Sequence, residues 1–167
     1  MLAQVYRSSM GKQEADVEEY LSRSEEETLA IARAFARRLR PGDTVALYGD
    51  LGAGKTEFIK GICQYFHVEE LVTSPTFAII NQYFGSLPDR TEIPLYHVDL
   101  YRVRSRQELE EIGFAECVSA GDAIKLVEWS ENADGLLPRS HWAVHIWVDP
   151  QQESVRHIRI ERVQSQE

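Results

Sequence analysis

The stretch GDLGAGKT at residues 49–56 decides the fold of this chain, because it matches the phosphate-binding pattern G-x-x-x-x-G-K-[ST]. A strand-like run, TVALY at 44–48, comes directly before it, and a helix-like apolar stretch at 57–66 follows it. A strand before the loop and a helix after it are the context that this motif requires. The sequence therefore predicts an α/β domain that binds a nucleoside triphosphate.

The composition of the loop explains how it would hold phosphate. Glycines let the backbone curl tightly and bring its N–H groups close to phosphate oxygens, and the start of the following helix adds about half a positive charge. Lys55 is expected to bridge the β- and γ-phosphates, and the Thr56 hydroxyl to ligate Mg²⁺. A glycine-rich turn before a helix is often only a turn, but the complete motif favours nucleotide binding. The residues expected to contact the nucleotide are Gly49, Leu51, Gly52, Ala53, Gly54, Lys55 and Thr56.

Length and composition describe an ordinary globular chain without a dedicated nucleic-acid surface. The 167 residues suffice for one domain with helices packed on a sheet. The formal net charge is −9, whereas a nucleic-acid surface needs clustered cations. The first residues have no long apolar core, so no signal peptide is expected, and no run is apolar enough to span a bilayer. Cys63 and Cys117 are expected to be buried free thiols, which favours a cytoplasmic location.

The patterning predicts a flexible polar leader over residues 1–21 and a single domain over 22–167. Ser24 and Glu27 fit a capping box for a first helix that ends before Pro41, and Ser105 with Glu108 fits a second one. The fold class predicted is α/β, with a mixed, mainly parallel sheet flanked by helices and a C-terminal β-hairpin. A helix is predicted at 105–114, a turn at 85–90, and strands at 44–48, 77–83, 94–99, 123–129, 142–148 and 155–163.

Two carboxylates follow apolar strands and are candidates for chemistry. Asp99 ends a strand where a carboxylate would face the Mg²⁺ of the loop; the alternative is that it only caps the junction of strand and loop. Glu128 also ends an apolar strand, at the edge where open α/β sheets bind ligands. It would either position the attacking water or complete the metal shell, unless it is a surface glutamate. Mg²⁺ needs few protein carboxylates, so one such aspartate suffices.

Other side chains near these carboxylates have structural explanations. Trp129 either shields the site or is simply a buried aromatic residue. His97 lies inside a strand and is expected to be structural rather than a base. Arg102, Arg104 and Arg106 are expected to form a solvated face; the alternative is that one of them reaches phosphate or a partner.

Four ordered motifs make the chain more specific than a phosphate loop alone. GDLGAGKT (49–56), SPTF (74–77), HVDLYR (97–102) and VEW (127–129) occur in that order. Together they resemble the TsaE family, also called YjeE, the small P-loop ATPase of threonylcarbamoyladenosine biosynthesis on tRNA. The resemblance covers roughly residues 22–148.

The resemblance implies roles for individual residues. Thr76 of the SPTF motif would lie in a switch-like loop near the γ-phosphate. Asp99 would act on Mg²⁺, and Glu128 would be a metal-linked catalytic residue. Trp129, beside Glu128, and Ser24, at the opening of the first helix, would contact the nucleotide. ATP and Mg²⁺ are the cofactors implied.

The resemblance also implies partners and a task. ATP hydrolysis would reset a complex with TsaD-type and TsaB-type proteins, which transfers threonylcarbamoyl to the adenosine beside the anticodon; tRNA would be contacted through those partners. Two alternatives stay open: a small-molecule P-loop kinase, and a nucleotide-gated binding module without useful turnover. A GTPase is not expected, because the sequence has no N/T-K-x-D base-reading motif.

Overall fold

Seven strands and four α-helices lie within residues 17–75 and 79–164, which are the residues that the computed structural model describes. The strands are β1 (Val17–Ser22), β2 (Thr44–Tyr48), β3 (Ile80–Ser86), β4 (Glu92–Asp99), β5 (Ile124–Glu128), β6 (Ser140–Val148) and β7 (Arg156–Gln164). The helices are α1 (Glu25–Ala36), α2 (Lys55–Tyr65), α3 (Arg106–Glu111) and α4 (Phe114–Val118), with a 3₁₀ turn at Ser130–Ala133.

All of these strands belong to one sheet, in the order β1-β7-β6-β2-β5-β4-β3. The central strands β6, β2, β5 and β4 are parallel, whereas β3, β7 and β1 are antiparallel to their neighbours. Strands β6 and β7 form the C-terminal hairpin. The predicted mixed α/β fold, parallel at its centre, is therefore confirmed.

Two hydrophobic clusters cover the two faces of this sheet. Successive residues of a strand point to opposite faces, so Leu126 packs in the cluster with α1 and α2, and Val127 packs in the cluster with α3 and α4. Every residue of β5 is buried, as expected for a parallel strand covered on both faces. The carboxyl ends of β2, β5 and β4 consequently meet at one edge of the sheet, between the two helical layers.

Helices α1 and α2 pack closely because a glycine lies at their contact. The hydroxyl of Ser24 caps α1 by accepting a hydrogen bond from the Glu27 N–H at 3.1 Å. At Gly61 of α2, an added Cβ would lie 2.5 Å from the Cβ of Ala32 and 2.7 Å from the Leu29 carbonyl oxygen. Only a residue without a side chain lets the two helices approach this far.

Gly61→Ala is therefore expected to lower the free energy of unfolding by about 1–3 kcal/mol, the usual cost of overpacking a core. Gly121→Ala is the matched control, because nothing lies within 4 Å of the Cβ it would add; its effect should stay within about 0.5 kcal/mol. Urea unfolding of both variants measures the difference. A Gly61→Ala protein as stable as the wild type would contradict the close contact of α1 and α2.

The flexible leader expected over residues 1–21 is wrong for its last residues, which form a strand. Strand β1 begins at Val17 and pairs along β7, and Glu18 forms an ion pair with Arg38 of 2.6 Å. Charged residues at 18 and 19 hid this short edge strand, because edge strands tolerate charges that buried strands exclude. Residues 1–16 lie outside the described part of the chain.

Two more predicted boundaries differ from the structure. The helix expected at 105–114 is divided into α3 and α4 by Gly113, whose φ is 71°. The strand expected at 77–83 corresponds to β3 from Ile80 onward, with residues 77 and 78 outside the described part of the chain, and it continues to Ser86 because it pairs with β4 as far as Glu92. The predicted turn at 85–90 therefore begins later than expected.

The two cysteines differ in their burial. Cys63 is a buried free thiol, whereas Cys117 is free but only half-buried. Burial raises the pKa of Cys63 to about 12.

Among the described residues, no helix combines the length and the apolarity that crossing a membrane requires.

Candidate nucleotide site

The loop between β2 and α2 has the curled backbone that its glycines predict. Gly49 has φ of 154°, and a Cβ there would lie 2.5 Å from the Ile146 carbonyl oxygen of β6. Gly54, with φ of 113°, stands directly before the first residue of α2. The loop therefore wraps around the N-terminus of a helix, the position at which backbone N–H groups bind anions. Leu51 lies at the exposed tip, 79% accessible.

Lys55 is held above the loop. Its ammonium donates hydrogen bonds to the carbonyl oxygens of Gly49 and, at 3.1 Å, Asp50. It also lies 4.1 Å from the centre of the Trp129 ring. Burial lowers the pKa of this ammonium, while attraction from Glu128 and other nearby carboxylates acts in the opposite direction. These two hydrogen bonds go to neutral carbonyls, so a third N–H donor of the ammonium remains to offer an incoming phosphate.

Thr56 and Glu128 meet although 72 positions separate them in the sequence. The Thr56 hydroxyl donates to Oε1 of Glu128 at 3.0 Å. The contact exists because Leu47, at the end of β2, is in register with Glu128, at the end of β5. Glu128 is 3% exposed. This burial excludes the alternative that Glu128 is an ordinary surface residue.

Asp99 lies at the same edge, in register with Glu128 on the neighbouring strand. Its Oδ1 accepts a hydrogen bond from the Tyr101 N–H at 2.9 Å, and its Oδ2 accepts one from the Ser74 hydroxyl at 2.7 Å. The carboxylate thus caps the end of β4, as one alternative expected, and also contacts the loop that carries the SPTF motif. Thr76 of that motif lies outside the described residues.

Trp129 closes one side of the site. It follows Glu128 with a left-handed backbone, φ of 57°, so the chain leaves β5 at this residue. The ring packs on Tyr101, with centroids 4.8 Å apart, and faces the Lys55 ammonium. The aromatic residue is half-buried, so it covers the lysine while keeping one surface available.

Ser24 lies in a cavity of about 280 Å³ beside the loop. Thr28 of α1, Gly52 and Gly54 of the loop, and Arg156 of β7 also line it. Arg156 fixes the cavity wall, because its Nε donates to the Ala53 carbonyl at 3.1 Å. Sequence patterns did not indicate Arg156, since it lies outside every motif and reaches the loop only through the C-terminal hairpin.

His97 is the second residue that sequence reasoning missed as part of the site. It is fully buried, as expected for a structural histidine, but its Nε2 lies 2.6 Å from Oε2 of Glu128. Its Nδ1 lies 3.2 Å from the Tyr83 hydroxyl. The available signal was its spacing: His97 and Asp99 are two residues apart, so they occupy the same face of β4.

The oxygen atoms at this edge fit the chemistry of Mg²⁺. Within residues 17–75 and 79–164, no three His, Cys, Asp or Glu side chains are arranged as a metal cage. Mg²⁺ in nucleotide sites needs none, because one or two carboxylates, phosphate oxygens and water complete its shell. The Thr56 hydroxyl and the carboxylates of Glu128 and Asp99 supply oxygen donors only, which is the set that this ion prefers.

Fold and loop together define the class of the protein: an α/β protein with a P-loop NTPase-like fold. The family model described as "Threonylcarbamoyl adenosine biosynthesis protein TsaE" matches residues 22–158. The chain belongs to the TsaE family, whose role is in tRNA threonylcarbamoyladenosine biosynthesis.

Individual relatives agree with this assignment. The tRNA threonylcarbamoyladenosine biosynthesis protein TsaE of Rickettsia conorii is 45% identical over 115 residues, 68% of this chain and 62% of the relative, so the match spans less than two thirds of that protein. The protein of the same name from Bacillus subtilis is 40% identical over 121 residues, 72% of each chain. The crystal structure of Bacillus subtilis YdiB has a TM-score of 0.69 at 31% identity, covering 91% of this chain and 89% of that one.

Proposed function

We propose that this chain is the ATP-binding and ATP-hydrolysing subunit of the tRNA threonylcarbamoyladenosine modification machinery. The observation that carries the proposal is the contact between the Thr56 hydroxyl and the buried Glu128 carboxylate, 3.0 Å apart, beside the Lys55 ammonium. It joins a phosphate-binding loop to a carboxylate at the edge where parallel sheets bind their ligands. A carboxylate in this position is suited to activating water or to holding a metal beside the phosphates.

Thr56, Asp99 and Glu128 are the residues that would hold Mg²⁺ in this proposal. The ion would neutralise charge that develops on the phosphate oxygens. Glu128 would either orient and deprotonate the attacking water or complete the metal shell, and both roles use the carboxylate at the same place. Lys55 would contact the β- and γ-phosphates, and Thr76 would lie near the γ-phosphate.

The cavity at Ser24 is the proposed place for the nucleoside. It adjoins the part of the loop at Gly52 and Gly54, so a nucleotide whose phosphates follow the loop would direct its sugar and base here. Ser24 and Thr28 are the hydroxyl-bearing residues of α1 and its cap that line this cavity. Trp129, on the side of Lys55, would cover the phosphate end.

TsaD-type and TsaB-type proteins are the proposed partners, and tRNA would be reached through them. The net charge of −9 disfavours direct binding of RNA, since neutralising phosphates requires clustered cations. A cytoplasmic location belongs to the same proposal, because both cysteines are free thiols.

Hydrolysis is expected to be slow in the isolated chain and faster with those partners. Arg156 contacts the loop, but its guanidinium donates to the carbonyls of Ala53 and Glu153 and is not directed at the carboxylates. An arginine supplied by a partner contributes about 10³–10⁵ in rate in comparable enzymes. Ordering of the segment around Thr76 by a partner would act in the same direction.

Phosphate release from Mg²⁺-ATP tests this expectation, first with the chain alone and then with a TsaD-type and TsaB-type pair added. We expect the pair to raise the rate. A fast rate that the pair leaves unchanged would contradict the assembly model. Transfer of phosphate to an added small molecule would favour the kinase, and tight ATP binding without release under either condition would favour a nucleotide-gated module.

A further inference from the structure

The carboxylate of Glu128 is held by different partners on its two oxygens. Oε1 accepts from the Thr56 hydroxyl at 3.0 Å, and Oε2 lies 2.6 Å from Nε2 of His97. Glu128 is 3% exposed and His97 is fully buried, so the contact between His97 and Oε2 is shielded from water. Charge-assisted bonds of this length are among the stronger hydrogen bonds in proteins. His97 therefore fixes the carboxylate from the side opposite Thr56.

The orientation of His97 is itself determined by a hydroxyl. A carboxylate offers only acceptors, so Nε2 of His97 is the nitrogen that carries the hydrogen in this pair. In the neutral imidazole ring, Nδ1 is then the acceptor for the Tyr83 O–H, 3.2 Å away. Tyr83 is 4% exposed and lies on β3, the strand next to the one that carries His97. Tyr83, His97 and Glu128 thus form a buried hydrogen-bonded chain across three strands.

The Tyr83 hydroxyl also touches the loop that precedes the SPTF motif. It lies 3.3 Å from the Thr73 carbonyl oxygen, which is its second acceptor. The next residue, Ser74, donates to Asp99 at 2.7 Å. One hydroxyl hydrogen serves one acceptor at a time, so the loop at 73–75 and the His97 ring compete for Tyr83. The position of that loop is therefore linked to the group that orients His97.

We propose that His97 and Tyr83 are positioning residues that orient the Glu128 carboxylate for hydrolysis, with Tyr83 coupling this orientation to the loop at residues 73–75. The inference rests on the proposed function, because it concerns the same carboxylate. Neither side chain lines the nucleotide cavity, so both would act through Glu128 and change turnover rather than ATP binding.

Shape-preserving substitutions separate positioning from packing. His97→Leu removes the donor and is expected to lower kcat by about 10–100-fold, the usual effect of losing a group that orients a site carboxylate or ligand. His97→Gln keeps an N–H near the position of Nε2 and should recover most of that loss. Tyr83→Phe removes only the hydroxyl and should lower kcat about fivefold. KM for ATP should stay within about threefold in all three variants, as for interactions made after binding.

A double-mutant cycle with Glu128→Gln tests the coupling, using the full chain with its TsaD-type and TsaB-type partners. If His97 acts through Glu128, adding His97→Leu to Glu128→Gln should lower kcat little further. Tyr96→Phe is the matched control on β4, since the Tyr96 hydroxyl contacts Gln82 at 3.5 Å and not the site. The proposal would be overturned if the reductions in kcat from His97→Leu and Glu128→Gln multiply in the double mutant. It would also be overturned if kcat of His97→Gln is as low as that of His97→Leu.

Failure of this inference can be told apart from failure of the proposed function. No phosphate release by the wild-type complex, or normal release by Glu128→Gln, would reject the function and the positioning role together. If Glu128→Gln strongly lowers phosphate release, but His97→Leu lowers it by the same factor with or without Glu128→Gln, the positioning role alone is rejected. Thermal unfolding of every variant accompanies the kinetics, and if His97→Leu does not fold, the cycle is run with Tyr83→Phe, which removes a single oxygen.

Discussion

Glu128→Gln should lower ATP turnover by about 10²–10⁴, which corresponds to roughly 3–5 kcal/mol of activation free energy. The amide keeps the shape of the side chain but removes the negative charge and the basic oxygen. Both proposed roles of Glu128, as base and as metal ligand, need that charge. ATP affinity should change much less, because the phosphate loop supplies most of the contacts.

Phosphate release by the complex, measured with ATP in excess, checks this prediction. Glu131→Gln is the matched control, since Glu131 is an exposed carboxylate that also attracts the Lys55 ammonium. Glu131→Gln removes the same negative charge near the site, and its ATP turnover should stay within about threefold of the wild-type value. Normal turnover by Glu128→Gln would return this residue to a purely structural role.

Lys55→Ala should weaken ATP binding by about 10–100-fold, the value of one charge-assisted contact of 1.5–3 kcal/mol. Lys55 is 5% exposed, and its ammonium lies at the loop. The fold should survive, because the hydrogen bonds lost are to the carbonyls of Gly49 and Asp50 at the loop. Thr56→Ala should act similarly, but only when Mg²⁺ is present.

Titration calorimetry with ATP, with and without Mg²⁺, measures both effects, and circular dichroism checks the fold. Lys60→Ala is the control for a lost lysine on the same helix. Lys60 is 38% exposed and pairs with Glu57 at 2.8 Å, so ATP affinity should change by less than about twofold. Wild-type affinity in both Lys55→Ala and Thr56→Ala would reject the phosphate-loop assignment.

Local patterns predicted the fold and indicated candidate site residues for a physical reason. A phosphate loop is continuous in sequence, so residues 49–56 carry its whole signal. Apolar strands that end in Asp99 or Glu128 are also visible locally, and parallel strands place their carboxyl ends at one edge. The convergence of these residues could therefore be expected before the strand order was known.

Contacts between distant segments were not predictable in the same way. The pairing of Thr56 with Glu128 depends on β2 lying beside β5, and the approach of Arg156 to Ala53 depends on the C-terminal hairpin. His97 was expected to be structural because it lies inside a strand, and its partner Glu128 is supplied by another strand. Strand β1 was missed because its stability comes from pairing with β7 rather than from its own sequence.

The most direct test of the central claim is formation of the modified nucleoside in tRNA over several rounds. TsaD-type and TsaB-type partners, tRNA, ATP and a threonylcarbamoyl donor would be combined with the wild-type chain, with Glu128→Gln, or with neither. We expect repeated rounds only in the mixture that contains the wild-type chain. In the other two mixtures, the modified nucleoside should stop near one equivalent of complex. Equal multi-round formation in all three mixtures would contradict the account.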